Sequence, residues 1–195
     1  MRGMVRHSAR EGLMKTRSWV FASVLLLLSV APNAFADGSH KAWKDASDVG
    51  VAVLAFSSLA VPTAKGDWQG LSEAAWSDGL GMGISALGKS LIHEERPNHR
   101  DNHSFPSGHA TLAFAAATTM YRRYGWEYGV PAYAIATLTG YARIAAKEHH
   151  WWDVVAGAGF GIGSGWLMTH PFDENVRLTP WVDHDGVGLA MNYSW

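Results

Sequence analysis

The sequence predicts an all-α protein: an antiparallel helical bundle closed by a short C-terminal β-hairpin. Two observations carry the bundle. Five runs rich in Ala, Leu, Gly and Met occupy 49–64, 79–92, 110–121, 128–146 and 154–169, and short polar stretches separate them. The third observation is a change of character after Pro171, where helical periodicity gives way to strand-like segments. The 195 residues, 48% apolar and 17% charged, suffice for one domain with a core and exclude a disordered chain. Cysteine is absent, which removes disulfide scaffolds, thiolate catalysis and cysteine-held metals. Ten histidines, the carboxylates and the hydroxyls are left to carry any chemistry.

Residues 1–36 read as an export signal. Arg2, Arg6, Arg10, Lys15 and Arg17 precede an apolar run from Trp19 to Val30, and Ala34-Phe35-Ala36 forms a small-x-small cleavage site. An uncleaved anchor is the rival reading, but the run falls short of the roughly 20 residues a spanning helix needs. Cleavage would leave 11 basic against 16 acidic residues, a formal charge of −5, so no basic surface remains for nucleic acid. The expected organisation is a signal peptide at 1–36, a helical domain at 37–170 and a tail at 171–195, exported to a bacterial periplasm or envelope membrane.

Within the domain, Pro62–Gly70 and Arg96–Pro106 concentrate Pro, Gly, Asn and Asp and are expected loops. Gly157, Gly159, Gly161, Gly163 and Gly165 alternate in one run and are read as close helix packing, since no Lys-Ser/Thr follows to make a nucleotide loop. In the tail, Leu178–Trp181 and Val187–Trp195 flank the turn signal Asp183-His184-Asp185-Gly186, the pattern of a hairpin; two strands cannot close a barrel. Membrane association stays open. The uncharged runs are short and mean hydropathy is −0.06, yet ten tryptophans and the Arg122-Arg123 pair suit a membrane belt and a basic loop.

Three clusters carry the chemistry. Lys89 and Arg96 are seven residues apart, nearly two helical turns, so the spacing predicts two cations on one helix face with Pro97 ending that helix. Pro106-Ser107-Gly108-His109 opens a helix whose free N–H groups and dipole favour an anion, with His109 at the same spot as proton donor or acceptor. His149 and Asp153 are spaced i, i+4, which lets Asp153 orient the ring and leaves the other nitrogen to act as a base or nucleophile. Arg143 lies about 240° from His149 on an unbroken helix, so both reach one site only if that helix ends near Lys147-Glu148.

Taken in order, Lys89-x6-Arg96-Pro97, Pro106-Ser107-Gly108-His109 and Arg143-x5-His149-x3-Asp153 resemble the three-part signature of the type 2 phosphatidic acid phosphatase superfamily. The resemblance implies that Lys89, Arg96 and Arg143 hold the non-bridging oxygens of a phosphate with help from Ser107 and the Gly108 backbone. It implies His149 as a nucleophile forming a phosphohistidine, Asp153 as its orienter, and His109 as acid and then base. No metal and no cofactor is implied, because placed cations stabilise the phosphoryl transition state. One position departs from the signature: Ala142 stands where the family usually carries serine, and a missing donor to a charged group, worth about 1.5–3 kcal/mol, would lower activity about ten- to a hundred-fold.

His93, His99, His103 and His150 flank the site. His99 and His103 have a chelating spacing, but the surrounding Asn and Asp residues argue against a helix there and against a metal. Trp151-Trp152 are read as packing. The expected activity is an exported phosphohydrolase acting on a phosphorylated amphiphile, such as phosphatidic acid, phosphatidylglycerol phosphate, a prenyl pyrophosphate or lipid A. A soluble broad-specificity acid phosphatase acting on small phosphate esters is the alternative, a vanadium-dependent haloperoxidase a remote one. The sequence does not fix an oligomeric state.

Overall fold

The computed structural model describes residues 38–172, 176–183 and 186–193. The signal sequence expected at 1–36 and the hairpin-turn residues 184 and 185 lie outside the described residues. Five helices follow in order: α1 His40–Lys65, α2 Trp68–Leu91, α3 Gly108–Tyr124, α4 Trp126–Ala145 and α5 Trp151–Met168. Each covers one of the five sequence runs to within a residue, but α1 and α2 begin about two and a half to three turns earlier than the runs suggested. Polar and apolar residues mix in those extra turns, and the starts are fixed by caps: Ser39 accepts from Ala42 N–H and Asp67 from Gly70 N–H. The described tail forms the expected hairpin, β1 Val176–Asp183 antiparallel to β2 Gly186–Tyr193, with Val176 opposite Tyr193.

Helix α3 is central and packs against all four others. Its buried face is mostly alanine and threonine, with Ala110, Ala113, Ala115, Ala116 and Ala117 fully buried. Short side chains let neighbouring helices come close. On α5, a Cβ added at Gly157, Gly161 or Gly165 would collide with the Ser107 carbonyl, the Thr111 carbonyl or the Thr118 side chain of α3. Gly159 and Gly163 face open space, so only every second member of the glycine run serves packing. That close approach brings the starts of α3 and α5 together, where Ser107 N–H donates to the Asp153 carbonyl at 3.0 Å.

The largest fully buried side chains are threonines, including Thr111, Thr118 and Thr139, whose hydroxyls donate to the carbonyl four residues back. Large apolar side chains lie outside: Trp76 is 68% exposed, Trp126 70%, Leu91 77% and Leu167 72%. Helix α1 is long and apolar enough to cross a membrane.

The end of the bundle opposite the predicted cluster is tied by a buried ion network. Arg123 grips Asp67 with both arms of its fork at 2.6 and 2.7 Å, and donates to Glu73 and to the His170 and Pro171 carbonyls. Tyr124 completes it by donating to Asp67 at 2.8 Å. Arg123 is thus a buried lock rather than half of a basic loop, and Arg122 stacks its guanidinium on Trp166, 3.9 Å from the ring centre. Removing one partner of such a network strands the others, so Arg123→Met should destabilise the fold by about 3–5 kcal/mol, read as a lowered midpoint in thermal or denaturant unfolding.

Candidate active site

Between α2 and α3 the chain runs through 92–107, and it overturns one expectation. Arg96 does not share a helix face with Lys89: α2 stops at Leu91, and Ile92 is already extended at φ −115° and ψ 108°. Pro97 disfavours helical geometry at Arg96, and Glu94 bridges to His103 as the loop doubles back. The two cations converge because the loop folds over the end of α2. Lys89 holds it there, donating to the His103 carbonyl at 2.8 Å and the Pro106 carbonyl at 2.7 Å.

The helix start expected at the second cluster is present. Helix α3 starts at Gly108, Ser107 is its N-cap, and His109 sits in the first turn. His109 Nε2 lies 2.8 Å from Asp48 Oδ1 on α1, and since a carboxylate accepts, the proton resides on Nε2 and Nδ1 is the nitrogen left to exchange one. Burial, then the Arg143 guanidinium, lowers the His109 pKa to about 4, with Asp48 pulling against them.

The third cluster depends on how α4 ends. Lys147 takes a left-handed conformation at φ 55°, its N–H donates to the Ile144 carbonyl, and Glu148 N–H reaches back to Arg143. These are the two bonds of a Schellman cap, built here without glycine. The turn directs Glu148 and His149 back toward the guanidinium of Arg143, the interruption the spacing required. His149 and Asp153 are not on one helix, however: α5 begins at Trp151, with His150 as N-cap. Asp153 lies in the first turn and accepts from His150 N–H and Ser104 Oγ, which sets its Oδ2 3.6 Å from His149 Nδ1.

A cavity of about 470 Å³ gathers these elements, lined by Lys89, Arg96, Gly108, His109, Arg143 and His149 together with Lys44, Asp48, Val51, Met82, Arg100 and Leu112. Ser107 and Asp153 stand fully buried behind it. All eight residues singled out in the sequence therefore meet at one end of the bundle. Ala142 is not in the lining; it packs in an apolar cluster with Trp43, Ala46 and Ala146.

Two carboxylates that the motifs do not contain belong to this site. Glu148, buried, accepts from Arg96 at 2.9 Å and Arg143 at 3.3 Å, with Arg100 3.2 Å away. Asp48 meets Arg143 at 3.5 Å as well as His109. Their sequence signals are slight: Asp48 is the last charge before the uncharged run of α1, and Glu148 directly precedes His149. Arg143 Nε remains buried with no hydrogen-bond partner, a donor suited to an arriving oxyanion.

Burial is the main influence on the other groups. It lowers the Lys89 pKa to about 8, with Arg96 adding to the effect. It also lowers the His149 pKa, against the pull of Asp153, which favours the neutral ring. Burial opposes ionisation of Asp153, but the His149 ring, Ser104 and the His150 N–H outweigh it and hold that carboxyl well below the usual range.

Residues 61–177 match the family model described as the PAP2 superfamily, which spans the three clusters and most of the helical bundle. The chain belongs to the PAP2 superfamily. It is 38% identical over 119 residues to a protein of Porphyromonas gingivalis named lipid A 1-phosphatase, covering 53% of this chain and 26% of that protein. It is 29% identical over 152 residues to one of Helicobacter pylori named lipid A 4'-phosphatase, covering 75% and 72%. The chain thus spans about a quarter of the length of the first relative and nearly three quarters of the second. Its fold is that of the crystal structure of Aquifex aeolicus LpxE, with a TM-score of 0.58 at 22% identity over 66% of this chain and 84% of that one.

Two outcomes follow for this PAP2 site. If Lys89 holds an anion it does so as a cation, so affinity for inorganic phosphate should fall as pH rises through about 8, and Lys89→Arg should hold it to beyond pH 10, both read by calorimetric titration. Lys147→Gly relieves a left-handed side chain and should stabilise the fold by about 1 kcal/mol in thermal unfolding.

Proposed function

We propose that this chain is a lipid phosphate phosphatase acting on a phosphorylated amphiphile at a bacterial envelope membrane, with the site facing the periplasm and residues 1–36 directing export. The observation that carries this reading is the convergence of Lys89, Arg96, Arg143, His109 and His149 on one cavity at the end of an apolar-coated bundle. Leu87, Leu91, Ile92, Tyr141, Trp151 and Trp152 are exposed on the same end of the bundle and form an apolar rim suited to acyl chains. The names of the Porphyromonas and Helicobacter relatives support a lipid A-like substrate over a small ester.

In the proposed mechanism the substrate phosphate enters between Lys89, Arg96 and Arg143, taking the unpartnered Arg143 Nε and the N–H groups at the start of α3 for its non-bridging oxygens. His149 uses Nε2, the nitrogen turned away from Asp153, to form a bond to phosphorus as the bond to the leaving oxygen breaks. Asp153 stabilises the imidazolium that results. Burial and the Arg143 guanidinium keep His109 nearly all neutral at neutral pH, with Nδ1 unprotonated; the incoming phosphate offsets the Arg143 field and raises the ring's proton affinity, Nδ1 takes up a proton from the phosphate monoanion or from solvent, and it then delivers that proton to the leaving oxygen. The same nitrogen then takes a proton from water, which attacks the phosphohistidine, releases phosphate and restores His149. Asp48 keeps the His109 ring in the tautomer this exchange needs.

The experiment is phosphate release by the full chain, in detergent and without it, from lipid A, phosphatidic acid, a prenyl pyrophosphate and a soluble aryl phosphate. The expected result is preference for a lipid, with turnover lost at least a thousand-fold in His149→Ala. Equal or better turnover of the aryl phosphate would instead favour a soluble acid phosphatase. Turnover unchanged by His149→Ala would overturn the mechanism.

A further inference from the structure

Asp153 has a second set of neighbours on the side away from the cavity. Its Oδ2 accepts from Ser104 and from His150 N–H, while Oδ1 is buried with no hydrogen-bond partner, and the side chain is 0% exposed. Glu94, from the loop that follows α2, stands beside it with Oε1 fixed by the Trp152 indole N–H at 2.7 Å. His150 lies flat on the Trp152 ring, centroids 4.4 Å apart and planes within 6°. Its Nδ1 sits between the two carboxylates, 3.6 Å from Glu94 Oε1 and 3.5 Å from Asp153 Oδ2, and also makes no hydrogen bond.

One donor atom from each of Glu94, His150 and Asp153 lies within 4.8 Å of the others. Among the described residues no lysine or arginine forms an ion pair with either carboxylate. Donors about 2.0–2.1 Å from a tetrahedral zinc ion are about 3.3–3.4 Å from each other, and the separations at His150 Nδ1 exceed this by only a few tenths of an ångström. One imidazole nitrogen with two carboxylates suits zinc, which takes imidazole and carboxylate at low coordination number, better than calcium or magnesium, which favour larger all-oxygen shells. The indole on Glu94, and Ser104 on Asp153, supply the outer hydrogen bonds that orient ligands at such sites. Glu94 and His150 are about a quarter exposed, which gives an ion a way in.

We propose that Glu94, His150 and Asp153 form a zinc site behind the nucleophile, and that zinc bound there inhibits the enzyme by taking Asp153 from His149. A dication on that carboxylate removes the negative charge that stabilises the imidazolium and lowers the basicity of the attacking ring. The inhibition rests on His149 being the nucleophile; the binding does not.

The test uses the untagged full chain stripped with a chelator and titrated with zinc against a chromophoric competitor. One zinc per chain at micromolar affinity or tighter is expected, with an X-ray absorption spectrum of nitrogen and oxygen donors including one imidazole. Glu94→Gln, and His150→Phe, which keeps the stack on Trp152, should each weaken binding at least ten-fold. In the lipid phosphatase assay zinc should inhibit the unmodified chain reversibly, while both variants stay active and respond at least ten-fold less to zinc. Absence of stoichiometric zinc, or binding that neither substitution weakens, overturns the site; variant-sensitive binding without inhibition overturns the regulatory half. The titration and the spectrum need no turnover, so a chain inactive on every lipid would sink the proposed function while the zinc site is still decided.

Discussion

Cations must be held close together before a phosphate arrives, and the rest of the site is arranged around that constraint. Two like charges about 5 Å apart repel by about 3 kcal/mol at an effective dielectric of about 20. Here Arg96, Arg100 and Arg143 gather around the Glu148 carboxylate, and Arg96 and Arg143 have further carboxylates in Asp101 and Asp48. The arrangement is neutralised in advance yet keeps unused donors, chiefly Arg143 Nε. The proposed phosphate substrate would therefore meet oriented N–H groups in a site whose own charges are already largely balanced, which is the condition for electrostatic catalysis without later reorganisation.

The same constraint explains where α4 ends. Glu148 reaches Arg96 and Arg143 together only because the chain reverses at Lys147, and that reversal also presents His149. A left-handed lysine costs about 1–2 kcal/mol locally. The cost is offset by what it positions: one short turn sets both the counter-charge of the arginines and the proposed nucleophile. On the opposite wall, the glycines of α5 let Asp153 approach the start of α3, so the proposed orienting carboxylate and the helix terminus proposed to meet the phosphate become neighbours.

The packing inverts the usual distribution of side-chain size. Alanine, serine, threonine and glycine fill many of the contacts around α3, while Trp76, Trp126, Leu91, Leu167 and Phe56 face outward. Small buried side chains give rigid close-packed helices; the apolar coat gives a surface that water does not favour. With Arg123, Asp67 and Glu73 locking one end of the bundle, the catalytic end can carry loops and charged groups on a fixed frame. The proposed lipid substrate fits this division, because its phosphate needs the charged end and its chains need the coat.

The sequence by itself determined the helical class, the five runs, the hairpin and all eight motif residues, because helical periodicity and helix-terminus chemistry are local and leave a local pattern. It also located the break between Arg143 and His149, since helical geometry allowed no other way for both to reach one site. Only the tertiary structure decided how Lys89 meets Arg96, because the loop is shaped by Pro97 and by the Glu94–His103 pairing across nine positions rather than by helical spacing. Asp48 and Glu148 were illegible for a related reason: a carboxylate acquires its role from the guanidinium placed against it, and Asp48 lies 95 positions from Arg143 in the chain. Spacing likewise pointed to His99 and His103 as the chelating pair to weigh, whereas the fold assembles Glu94, His150 and Asp153 from a loop and a helix start that periodicity does not connect.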